Sequence, residues 1–207
     1  MPSIQAFTRR KILIFLSIFL SLHLSGCGQA LLTAGATAGM VISQERTVGD
    51  AIDDTAIALS IKDKLFSKSD ELFLRTSIKS IEGRVLLTGS VKLPEDRIEV
   101  AKIAWQTTGV KEVYNEIEVR DRSKILDYFN DVRISNELRF RLMREKNVSA
   151  INYSVETVNK VIYLMGIAKS QAELNLAVEQ SRNIKGVEKV LSYVILKEDS
   201  RRNNVNK

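Results

Sequence analysis

The sequence contains one histidine and one cysteine in 207 residues, and both fall close to its start, as His23 and Cys27. Downstream of Cys27 there is no imidazole and no thiol. That excludes His-based acid–base catalysis, a cysteine nucleophile, Cys/His zinc sites and structural disulfides. GxGxxG, Walker and HExxH motifs are missing as well. Carboxylates remain, in the adjacent pairs Asp53-Asp54, Asp70-Glu71, Glu95-Asp96 and Glu198-Asp199, but neighbours in sequence do not face each other across a substrate. Asp53-Asp54 stands just before an apolar-periodic run, where a helix N-cap is the expected role. These absences predict a protein that is not an enzyme and carries no metal or other cofactor.

Dense charge of one sign is also lacking. The formal net charge is +6, but three of the 31 basic residues lie ahead of Cys27, in a segment that holds no acid. From Cys27 onward, 28 bases face 25 acids, a balance of +3. That is too mild for a nucleic-acid footprint, which needs a dense basic face. It suits a surface that meets anionic lipid heads, where each nearby Lys or Arg adds about 1 kcal/mol.

The hydrophobic run Ile12 to Leu24, broken by Ser17, Ser21 and His23, follows the basic Arg9-Arg10-Lys11. It is shorter than the ~20 residues a helix needs to cross a bilayer, so it reads as a signal peptide, residues 1–26. Leu24-Ser25-Gly26-Cys27 then resembles the bacterial lipobox. The resemblance implies cleavage before Cys27 and acylation of its thiol and new amino terminus. More than one acyl chain, at ~0.8 kcal/mol per buried methylene, holds a protein on a membrane almost permanently. An uncleaved apolar anchor, or a secreted protein with a stray cysteine, are the alternatives. Gly28 to Gln44, rich in Ala, Gly and Thr, reads as a tether within a lipidated segment 27–48; Gly35 to Gly39 matches a small-xxx-small pattern to which no function is assigned.

The remainder is an internal duplication. Ile78, Ile81, Val85, Leu87, Gly89, Gly109, Val110, Val113, Ile117 and Val119 reappear, in the same order and at one constant offset, as Val155, Val158, Ile162, Leu164, Gly166, Gly186, Val187, Val190, Val194 and Leu196. Each copy predicts helix, hairpin, helix, strand. The first helix begins after Asp54 and carries Ile57, Ile61 and Leu65 on one face. A strand around Ile78 turns at Glu82-Gly83 and returns through Val85 and Leu87, ending at Gly89, where a missing side chain lets another backbone pass close. Pro94 is expected as the first residue of the second helix, Ser170 with Glu173 as a capping box, and Gly109 and Gly186 as C-caps. The last strands are expected in Val113 to Val119 and Val190 to Leu196. Trp105, amid Ile98, Ala101 and Ala104, is expected beside the core.

Arg46-Thr47-Val48-Gly49 with Asp53-Asp54, Gly83 to Gly89, Val113 to Ile117, and Leu164-Met165-Gly166 together resemble the BON domain, a small αββαβ module. The resemblance implies an α+β fold of two tandem BON modules, residues 49–121 and 122–199, each a three-stranded mixed sheet packed on two helices, with a basic tail at 200–207. The signal, tether and doubled module are similar to the dual-BON outer-membrane lipoproteins. That likeness implies attachment to the periplasmic face of the outer membrane, binding of anionic phospholipid (phosphatidylglycerol or cardiolipin), and support of envelope integrity. It also implies association with division proteins or the β-barrel assembly machinery. Gly28, in place of the Asp that favours inner-membrane retention in enteric bacteria, agrees with outer-membrane export. The family's lipid contact lies on the first helix of the second module, at an aromatic position matched by Phe129 in Asp127-Tyr128-Phe129. The family type has tryptophan there, and Phe lacks the indole N–H that suits the headgroup level.

A helical wheel addresses the same helix without the family. At ~100° per residue, Ile134, Leu138 and Leu142 form one stripe, equivalent to Ile57, Ile61 and Leu65. Phe129, Val132, Phe140 and Met143 form another on roughly the opposite side, edged by Arg133 and Arg144. Such a stripe fits an interfacial lipid site; packing of Phe140 and Met143 on the other module is the alternative, and Leu59 and Phe66 also lie off the first module's core stripe. The expected lipid-binding set is Tyr128, Phe129, Val132, Arg133, Phe140 and Arg144, with Cys27 lipidated. A tethered protein-docking module and a stress-linked periplasmic chaperone are the alternative functions.

Overall fold

The structure, a computed structural model, describes residues 45–120 and 125–203, with the side chains of 125, 126 and 203 left aside. The expected signal peptide, the lipidated Cys27, the tether up to residue 44, and residues 204–207 lie outside the described residues. Those described fall within one compact unit, Ser43–Lys207.

In the first module, α1 (Val48–Lys68) and the short α2 (Asp70–Arg75) lead into β1 (Thr76–Ile81) and β2 (Arg84–Val91). Helix α3 (Pro94–Trp105) then crosses to β3 (Glu112–Val119). The second module repeats the plan. It comprises α4 (Ile125–Arg144), a 3-10 turn at Ala150–Asn152, β4 (Tyr153–Val158), β5 (Val161–Ala168), α5 (Gln171–Arg182) and β6 (Lys189–Leu196); a one-turn α6 (Ser200–Asn203) follows. Each sheet is three-stranded and mixed, its middle strand antiparallel to the first and parallel to the third. The αββαβ plan and the α+β class are those expected.

Local chemistry departs from expectation at several ends. Asp53 and Asp54 do not cap α1. Thr47 does: its hydroxyl accepts from the Asp50 amide and the Asp50 carboxylate accepts from the Thr47 amide, a reciprocal box well ahead of Asp54. Glu173 completes only half a box. Its amide donates to Ser170 Oγ, but its carboxylate accepts from the Ser149 and Lys169 amides instead. Pro94 opens α3 as expected. Gly109 is not the C-cap of α3, which ends at Trp105; it sits further on, where its φ of 89° serves a turn against Ile57. Gly186 likewise lies beyond the end of α5 at Arg182. Gly89 lies within β2, not at its end, and a Cβ there would collide with the carbonyl oxygen of Arg75. The close approach is real, at a different place in the strand.

Each module has its own core between helices and one sheet face. Ile57, Ile61 and Leu65 pack with Val85, Leu87 and Ile117; Ile134, Leu138 and Leu142 pack with Ile162, Leu164 and Ala177. A third apolar cluster joins the other faces of the two sheets, where Ile81 and Leu86 meet Tyr163, Met165, Ile167 and Ile195. The two sheets therefore stack, and β2 is buried on both faces along its whole length. Tyr114 and Tyr193 stack across this seam with ring centroids 4.4 Å apart. Burial, followed by the carboxylates of Glu118, Glu116 and Asp131, raises the Tyr163 hydroxyl to about 12. Trp105 is not beside the core: it is 55% exposed on α3.

Candidate functional site

The duplicated hairpin turns bend through left-handed backbone at both central residues, Glu82 (φ 56°) with Gly83 (φ 77°), and Asn159 (φ 50°) with Lys160 (φ 64°). Each is held by a buried carboxylate in the early turns of its module's first helix. Asp54 accepts from the Glu82 and Gly83 amides at 2.7 and 2.9 Å, from Ser80 Oγ at 2.7 Å and from Arg46 at 3.1 Å. Asp131, its counterpart in the second copy, accepts from the Asn159 and Lys160 amides, both at 2.8 Å. The cost of burying each carboxylate is offset by these donors. An aspartate repeated at the same place in both copies, each time the same distance ahead of a turn, was the available signal for this role.

Those turns also latch the modules to each other. Asn159 Nδ2 donates to Glu118 at the end of β3, at 2.6 Å. Glu82 accepts from Arg202 of α6 at 2.8–3.1 Å, and Arg202 also donates to the Glu45 carbonyl at 2.6 Å. The basic tail is therefore docked as far as Arg202. Side-chain and backbone hydrogen bonds from Arg201 in the same segment depress the Asp199 carboxyl to about 2.

Because Asp131 must face its turn and Ile134, Leu138 and Leu142 the core, the opposite side of α4 is left to solvent. Phe129 is 62% exposed, Met143 68%, and Tyr128, Val132 and Phe140 are exposed as well. Among the described residues, Phe140 and Met143 are not buried against the first module. Tyr128 and Phe129 meet edge to face with centroids 6.0 Å apart. At the other end, the Arg144 guanidinium stands 5.3 Å from the Phe140 ring centre. Arg133 is committed locally, donating to Glu137 at 2.9 Å and to the Lys185 carbonyl at 2.7 Å. The polar Asn136 interrupts the apolar stripe at its middle. Tyr128 and Val132 also line a groove of about 230 Å³ whose far wall is Leu74, Arg75 and Ser77 of the first module. Among the described residues no helix is long and apolar enough to cross a membrane, and no group of acidic side chains is placed to hold a metal.

Two αββαβ modules with matching turn carboxylates define a duplicated small domain, and comparison with known sequences agrees. The BON domain matches residues 53–121 and 130–197, so the chain belongs to the BON-domain family. It is 43% identical over 147 residues to a protein of Anaplasma centrale known as the uncharacterized protein in gshII 5'region, covering 70% of this chain and 96% of that one. It is 28% identical over 173 residues to outer membrane lipoprotein DolP of Haemophilus influenzae, covering 83% and 89% respectively. Osmotically-inducible protein Y of Escherichia coli is 28% identical over 161 residues, 76% of this chain and 80% of that protein. Among solved structures, CdsD of the Chlamydia trachomatis type III secretion system matches at 17% identity with a TM-score of 0.29, over 74% of this chain and 69% of that chain.

Proposed function

We propose that this is a non-enzymatic lipoprotein of the bacterial cell envelope, held at the periplasmic face of the outer membrane through Cys27, whose second module binds anionic phospholipid and supports envelope integrity. The likeness to DolP and to osmotically-inducible protein Y supports the envelope setting. The observation that carries the lipid reading is the α4 stripe. Phe129, Val132, Phe140 and Met143 are exposed on the side opposite the core, with Arg144 against Phe140. Water gains nothing from such a face, whereas an acyl–headgroup boundary accepts the apolar residues and pairs the arginine with phosphate. Phe in the leading aromatic position lacks an indole N–H, so apolar contact dominates over headgroup hydrogen bonding there.

Co-sedimentation of residues 43–207 with phosphatidylglycerol or cardiolipin vesicles, against phosphatidylcholine vesicles, tests this at low and high salt. Anionic preference, weakened by salt and lost in Phe129→Glu, is the expected result. Equal recovery with all vesicles, or none, overturns it. Loss of palmitate labelling in Cys27→Ser tests the anchor.

A second reading rests on α1. Ile52, Leu59 and Phe66 are exposed on the side opposite its core residues, but Asp63 lies among them. A carboxylate in an apolar stripe is repelled by an anionic bilayer and accepted by a protein partner, such as a division or β-barrel assembly component.

A further inference from the structure

Leu74, the most exposed large apolar side chain among the described residues at 73%, belongs to the first module and has no part in its core. On α2 that task falls to Leu72, which is buried. Leu74 stands instead at one lip of the groove whose other lip is Tyr128 and Val132 of α4. Arg139, which also lines the groove, donates to the Asn136 side chain and the Val155 carbonyl and meets no carboxylate among the described residues. The two acids of the groove are already engaged, Asp131 by the turn amides and Glu156 by Lys79.

The duplication supplies an internal control. A related cleft of about 180 Å³ lies where the roles of the modules are exchanged, lined by Arg46, Lys79 to Ile81 and Ile151 to Ser154. Ile151 is the counterpart of Leu74 there, but the counterparts of Tyr128 and Val132 are Ala51 and Thr55. Exposed large apolar side chains line both lips of only one of the two clefts; beside the other, the counterpart of Phe129 is the smaller, non-aromatic Ile52.

A membrane is flat, and the stacked sheets hold the modules as one body. Residues that border one groove are therefore presented to a surface together, and Phe129, which does not itself line the groove, stands beside them through its edge-to-face contact with Tyr128. We propose that the membrane contact is composite: Leu74 of the first module enters the same anionic bilayer as Phe129 of the second, with the positive charge of Arg139 between them on the headgroup side. This rests on the lipid reading of α4 and adds to it a residue of the other module.

Residues 43–207 contain no cysteine, so single substitutions Leu74→Cys, Phe129→Cys and Ile98→Cys can each carry an environment-sensitive dye. All three positions are exposed, and labelling leaves the cores intact. With phosphatidylglycerol vesicles, a blue shift at positions 74 and 129 and none at 98, on the second long helix of the first module, is the expected result. A shift at 129 without one at 74 overturns the composite contact and leaves the α4 reading standing. No shift at any position overturns both. Equal shifts at all three report unspecific adsorption and overturn the proposal too. Leu74→Glu, with an unchanged unfolding midpoint, is expected to weaken phosphatidylglycerol binding about fivefold; unaltered binding counts against it.

Discussion

Helices α1 and α4 occupy the same place in their modules, and their inner faces match residue for residue. Asp54, Ile57, Ile61 and Leu65 correspond to Asp131, Ile134, Leu138 and Leu142, and all eight are buried. Their outer faces have parted. Where α4 has Phe129, Val132, Phe140 and Met143, α1 has Ile52, Thr55, Asp63 and Phe66; the flanking Arg133 and Arg144 correspond to Ala56 and Ser67. The inner positions answer to a sheet that both copies share. The outer ones answer to whatever each helix meets, and only α4 combines aromatic rings with guanidinium groups. A copied scaffold thus separates residues required by the fold from residues available for binding.

The largest test of this equivalence is removal of the turn carboxylates. Asp54→Ala strips a buried site of four donors, and Asp131→Ala strips one of two amides. Urea unfolding should show losses of about 3–4 and about 2–3 kcal/mol, in that order. Equal losses would mean that Ser80 and Arg46 contribute nothing. Next come Gly89→Ala and Gly166→Ala, whose new methyl groups strike the Arg75 and Asn152 carbonyl oxygens. Both should lose about 2–3 kcal/mol by thermal unfolding, Gly89 the more, because its φ of 129° also disfavours a side chain. On the outer faces, Phe129→Glu should reduce binding to anionic vesicles about tenfold or more, whereas Ile52→Glu should leave it unchanged; a similar loss in both would erase the distinction between the helices. The smallest effect concerns the turns. Lys160 holds a left-handed conformation that Gly83 adopts freely in the other copy, so Lys160→Gly should raise stability by about 0.5–1 kcal/mol, read as a small rise in Tm.

Much of this was legible from periodicity. The constant offset between the copies located every strand, and four-residue spacing found the buried stripes of α1 and α4, because a sheet face and a helix face impose regular patterns. The same wheel marked Phe129, Val132, Phe140 and Met143 as lying away from the core. What periodicity could not supply were roles fixed by distant partners. Asp54 resembled a helix cap because the turn amides it serves lie far along the chain, beyond α2 and β1. Gly109 resembled a helix stop because nothing local revealed that α3 ends at Trp105. Leu74 and Arg202 were silent because their significance arises only where the modules meet, and Trp105 misled because its apolar neighbours Ile98, Ala101 and Ala104 suggested a place beside the core, whereas α3 turns it to solvent.

The stacking of the two sheets also bears on how such a chain can change over time. An ancestral single copy needed only one covered sheet face, with the other wet. With Leu86, Tyr163, Met165 and Ile167 oily to suit each other, neither half can be discarded without leaving an uncovered, aggregation-prone sheet face behind. The doubling has become a ratchet. Deleting either half to study the other is for the same reason expected to yield insoluble material, and dissection by point substitution on the outer helices is the gentler route.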